Sequence, residues 1–74
     1  MNSNLGPMKY QVNDRVVFKF QDERLNGRIV VADFGGSLEM LGQCHSYDLV
    51  CQRDGKGWLI KHVPEQSIVG FQEN

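Results

Sequence analysis

The chain has little of what most function classes require. It holds two cysteines, Cys44 and Cys51, with no Cys-x-x-Cys knuckle between them, so neither a zinc finger nor a disulfide framework is spelled out, and reduced thiols are expected. Its longest unbroken apolar run, Ile29 to Ala32, is far too short to cross a membrane. No block of like charge occurs: eight basic and nine acidic residues alternate to a formal charge of −1, a balance that disfavours binding dominated by phosphate contacts. Internal repeats and low-complexity tracts are absent, and Met1 to Pro7 lacks the apolar stretch of a secretory signal. A cytoplasmic protein of bacterial economy is therefore expected.

What the 74 residues do contain is one small domain's worth of strand signals. A chain of this length removes only about 60% of its unfolded surface from water, so its core must be compact, and a metal, a disulfide or a partner subunit is an open source of extra stability. Residues 1–9, rich in Asn, Ser, Gly and Pro, read as a flexible leader, and residues 10–74 as the domain. Asn13-Asp14 marks a turn. Arg15 to Phe20 then alternates Val16, Phe18 and Phe20 with Arg15, Val17 and Lys19, the period of a half-buried strand. The polar stretch 21–27 ends in Asn26-Gly27, which predicts a turn there and a second, β-branched strand from Arg28 to Phe34. Gly35-Gly36 closes it, and 37–43 reads as a loop carrying Leu38, Met40 and Leu41. His45 to Gln52 is the third strand, and Asp54-Gly55 sets a hairpin that pairs it with Trp58 to His62. Val63 to Ser67 makes a single 3-10 turn before a last strand, Ile68 to Phe71.

Five such strands predict an all-β, antiparallel barrel. The layout resembles the SH3-like barrels, on Asn13-Asp14-Arg15-Val16, Gly27-Arg28-Ile29-Val30, Tyr47-Asp48-Leu49-Val50 and Val63-Pro64-Glu65-Gln66-Ser67-Ile68. In size, leader and Asp-Arg-Val opening it is also distantly similar to the type II trimethoprim-resistant dihydrofolate reductases. Those enzymes line the pore of a homotetramer with Val-Gln-Ile-Tyr, whereas this chain has Trp58-Leu59-Ile60-Lys61 at the corresponding place. The resemblance therefore implies a barrel fit for symmetric assembly, without the reductase motif.

Candidate sites are few. Cys44, His45, Cys51 and His62 form the only soft-ligand set, but adjacent residues of a strand point to opposite faces, so no metal or cofactor is expected from them. His45, His62, Asp48 and Glu65 are titratable groups that no spacing links into a catalytic set, which points to a non-catalytic protein. Trp58 is the best single binding candidate. It faces outward if Leu59 and Val63 face the core, and inward together with Ile60 if Lys61 is kept out of the core. The remaining signal is apolar surplus: Val17, Val30, Phe34 and Val50 alternate with the inward set, beside Leu38, Met40 and Leu41 in the loop. The first expectation is thus an interaction module that binds itself, as a homo-oligomer, or a protein partner. The second is a nucleic-acid-associated barrel using Lys9, Arg15, Lys19 and Arg28, with Phe34 or Tyr47 for stacking, although Arg24 and these cations share their half of the chain with Asp14, Asp22 and Glu23. A third is a small oligomeric enzyme or ligand-binding protein with a site shared between subunits.

Overall fold

The computed structural model describes residues 6–36 and 41–73. The chain folds as five antiparallel strands: β1 (Arg15–Phe20), β2 (Glu23–Asp33), β3 (Ser46–Arg53), β4 (Lys56–Pro64) and β5 (Ile68–Phe71), with a 3-10 turn, Glu65–Ser67, before the last. They form one sheet in the order β4-β3-β2-β1-β5. The sheet does not close on itself, so β4 and β5 are its edges.

The first hairpin departs from the sequence expectation. Its turn is Gln21-Asp22, both at positive φ (51° and 66°), with Phe20 paired to Glu23 across it, the conformation of a type I′ two-residue turn. Asn26-Gly27 lies within β2, opposite Val17 and Val16. Gly27 is there for packing: a Cβ on it would sit 2.9 Å from the Phe18 ring and 3.2 Å from the Val50 carbonyl oxygen. A glycine in a strand interior commonly marks such a close approach. The second hairpin matches expectation, with Asp54 and Gly55 at φ 54° and 75° and Arg53 paired to Lys56.

One face of the sheet carries the core. Val16 and Phe18 of β1, Ile29 of β2 and Tyr47, Leu49 and Cys51 of β3 are buried, with Val63 and Ile68 closing over them. Before β1, Tyr10 sets its ring edge against Tyr47. Met8 packs on the same cluster.

Two bulges interrupt the ladders beside Asp48. On the β2 side the register shifts between Ile29 and Val31; on the β4 side Tyr47 pairs with Val63 but Leu49 with Ile60, which leaves Lys61 and His62 together opposite Asp48. His62 takes up the extra residue at φ 61°. A bulge reverses the facing of the residues beyond it, so Ile60 and Val63 both reach the core although an unbroken strand would set them on opposite faces. The two orientations weighed for β4 are thereby combined. Trp58 shares the facing of Ile60, yet it lies past the end of the core and is 54% exposed.

Candidate functional site

Beyond the last core layer the inner face continues uncovered. Phe20, Leu25, Cys51, Trp58 and Ile60 line an open groove of about 720 Å³ between the two hairpin ends. These residues are apolar because they extend the core pattern of their strands; Cys51 forms the buried floor, while Phe20, Leu25 and Ile60 are half-buried and Trp58 exposed because nothing among the described residues caps that end. Arg53, Asp54 and Lys61 stand on its rim. Leu59, also 54% exposed, borders the groove beside Trp58 on the same edge strand.

The outer face of β1 and β2 has a different character. Cross-strand pairing sets Arg15 opposite Arg28 and Lys19 opposite Arg24, with Val17 and Asn26 between them. Like charges directly opposite each other destabilise a sheet. Arg15, Asn26 and Arg28 line a hollow of about 340 Å³ with Gln52 and Gln72, and the Arg28 guanidinium donates to the Asn13 side-chain oxygen at 3.2 Å. The acidic neighbours in sequence are drawn elsewhere: Glu23 pairs with Arg53 at 3.2 Å, and Asp14 accepts the Gln11 amide at 2.8 Å in its turn.

A buried polar cluster closes the far end of the core. The Tyr47 hydroxyl donates to Glu65 Oε2 at 2.5 Å, which also accepts the Lys9 amide at 3.0 Å. Burial, then this hydrogen bond to a carboxylate, push the Tyr47 hydroxyl well above the ordinary tyrosine range. Burial alone raises the Glu65 carboxyl, but the Tyr47 and Lys9 donors outweigh it and hold Glu65 below its ordinary value. His45, buried, accepts the Gly35 amide on Nδ1 at 2.9 Å, so its proton sits on Nε2 and is donated to the Gly6 carbonyl, also at 2.9 Å. Its ring lies 4.6 Å from that of Phe34.

The expected binding residues are thus dispersed. Phe34 is 70% exposed, and Leu41 and Trp58 are also exposed. Val17, Val30 and Val50 are half-buried on the outer face, where cations interrupt them. Leu38 and Met40 lie outside the described residues. Lys9, Arg15, Lys19 and Arg28 are exposed, whereas Tyr47 is wholly buried and offers no ring to a base. The four soft ligands are not assembled, since both ring nitrogens of His45 are engaged and Cys51 belongs to the core. Cys44 and Cys51 form no disulfide. The sequence missed a different set, Asp33, Asp48 and His62, which three adjacent strands bring together. Comparison with protein-family models, with curated proteins and with solved structures gives no match.

Proposed function

We propose that the chain is a non-catalytic interaction module with the SH3-like arrangement of strands, and that its partner is a second copy docked along β4. The observation that carries this reading is the coincidence of a free edge strand with the apolar groove beside it. An edge strand presents a row of unpaired amides and carbonyls, and proteins blunt such edges with charges, prolines and bulges. On β4 these devices stand at the ends, in Lys56, the Lys61-His62 bulge and Pro64, and leave 57–60 unprotected with Trp58 and Leu59 exposed.

A register centred on Leu59 suits self-pairing. Setting Leu59 opposite its own copy places Trp58 against Ile60 of the second copy, keeps the two groove faces on one side and joins them. A shift of one residue brings Lys56 against Lys61 and turns the groove face of one sheet to the outer face of the other. A standard interface takes about 800 Å² from each partner, roughly a seventh of the 5306 Å² surface of this chain. Assembly also supplies the support a small core without a disulfide lacks.

Sedimentation equilibrium tests the reading. A concentration-dependent dimer that Leu59→Asp abolishes, by opposing two carboxylates at the symmetry axis, supports it. A monomer at every concentration up to the millimolar range, or a dimer indifferent to Leu59→Asp and Trp58→Ala, refutes it.

The two like-charge pairs favour a second reading, an outer face that binds the phosphate backbone of single-stranded nucleic acid. The pairs stand about 13 Å apart along the strands, with hydrogen-bond donors and no carboxylate in the Arg15-Arg28 hollow. Fluorescence anisotropy of labelled oligonucleotides at rising salt checks it. Binding that weakens with salt and falls with Arg15→Gln and Arg28→Gln supports this reading, and its absence at low salt removes it.

A further inference from the structure

We propose that Asp33, Asp48 and His62 form a binding site for a divalent metal ion of the zinc class. One carboxylate oxygen from each aspartate and a ring nitrogen of His62 all lie within 4.8 Å of one another. The ligands come from the end of β2, the middle of β3 and the bulge of β4, so the site exists only in the folded sheet.

Asp48 is the anchor. It is 9% exposed, on the face opposite Tyr47 and Leu49, and its Oδ1 accepts the His62 amide at 3.0 Å. Its Oδ2 accepts no hydrogen bond from the described residues. Burying a carboxylate with an unpartnered oxygen beside a second carboxylate is costly unless a cation compensates. No side-chain cation does so: among the described residues the single ion pair is Arg53–Glu23, at the opposite ends of β3 and β2 from the site.

Two carboxylates and one imidazole are the donor set of a zinc-class ion rather than of calcium, which takes six to eight oxygens. Metal–ligand bonds of about 2.0–2.2 Å set ligand atoms roughly 3–3.5 Å apart. The side chains of half-buried Asp33 and exposed His62 therefore swing inward by about an ångström, while Asp48 stays in place. Two carboxylates neutralise a divalent ion, and three protein ligands leave a coordination position for water.

Isothermal titration of the intact, metal-stripped chain with zinc chloride tests the site, with cobalt(II) absorption as a second readout. The expected result is one ion per chain, affinity reduced at least tenfold in His62→Gly and in Asp33→Asn, and a cobalt spectrum without thiolate charge-transfer absorption. Both substitutions lie at accessible side chains, and glycine suits the positive φ at 62, so the fold survives them; Asp48→Asn, which retains an acceptor for the His62 amide, is the third variant. A zinc-dependent rise in melting temperature should disappear in His62→Gly. The proposal is overturned by the absence of saturable uptake, by uptake that these variants leave unchanged, or by a thiolate signature in the cobalt spectrum.

Discussion

Replacing Gly27 by alanine probes the register on which every site above depends. In the observed pairing the new methyl meets the Phe18 ring at 2.9 Å and the Val50 carbonyl at 3.2 Å. Phe18 is wholly buried, so its ring has no open side toward which to withdraw. Overpacking of this kind costs about 1–3 kcal/mol. Removing a strand glycine returns roughly 0.5–1 kcal/mol through the unfolded chain, which leaves a net destabilisation of about 1–2 kcal/mol. In urea, with a slope near 1 kcal/mol/M for a chain of this size, the midpoint should fall by about 1–2 M at constant slope. Phe18→Leu relieves the clash, so Gly27→Ala combined with Phe18→Leu should be less destabilised than the two single effects added together. An unchanged or raised midpoint for Gly27→Ala would refute the packing. It would place Asn26-Gly27 in a turn instead, and dissolve the pairing of Arg15 with Arg28.

Three further outcomes concern the polar cluster and the first hairpin. Tyr47→Phe removes a hydrogen bond to a carboxylate and should cost about 1.5–3 kcal/mol at neutral pH, reduced where water reaches Glu65; chemical denaturation measures it. Because the folded state lowers the Glu65 value below 4.5, its contribution is present above that pH and is lost as pH falls through the folded value. The raised Tyr47 value has the opposite sense, full stability below the ordinary value of 10.0 and loss as pH rises beyond it. Tyr47→Phe should flatten both limbs of the stability profile. In the first hairpin, Gln21→Asn with Asp22→Gly supplies the residues a type I′ turn prefers and should raise stability by about 1 kcal/mol; an unchanged melting temperature would count against that turn.

The strands were legible in the sequence because alternation and turn chemistry agree in most of them. Arg15 to Phe20 and the Asp54-Gly55 hairpin come directly from period two and a strong turn dipeptide. The first hairpin was not legible, because Asn26-Gly27 is a stronger local turn signal than Gln21-Asp22 and only contact with Phe18 explains a glycine inside β2. The basic outer face was obscured for a related reason. Asp14, Asp22 and Glu23 are neighbours of the cations in sequence, but they occupy turns and an ion pair with Arg53, away from the Arg15-Arg28 hollow. Asp33, Asp48 and His62 stand far apart in the chain, and two bulges that no local pattern announces bring them to one place.

The β4 bulge yields the sharpest contrast between substitution and deletion. His62 holds φ 61°, a conformation that costs a non-glycine residue about 1 kcal/mol or more. With metal removed, His62→Gly should therefore stabilise the chain by about 0.5–1 kcal/mol, read as a higher urea midpoint. Deleting His62 removes the bulge along with the strain. Ile60 and Val63 then stand two apart, the spacing at which an unbroken strand sets both on one face, so the core is kept and the His62 amide bond to Asp48 is lost. A hydrogen bond to a charged group is worth about 1.5–3 kcal/mol, so this deletion should lower the urea midpoint and still unfold cooperatively. Deleting Lys61 and His62 together makes Ile60 and Val63 neighbours and turns one of them out of the core, at about 1.5–3 kcal/mol, and it draws Glu65, the residue after Pro64, away from the Tyr47 hydroxyl. That variant should be largely unfolded by circular dichroism. A double deletion as stable as the single one would show that Ile60 and Val63 do not both belong to the core, and with that the convergence of His62 on Asp48 would fail.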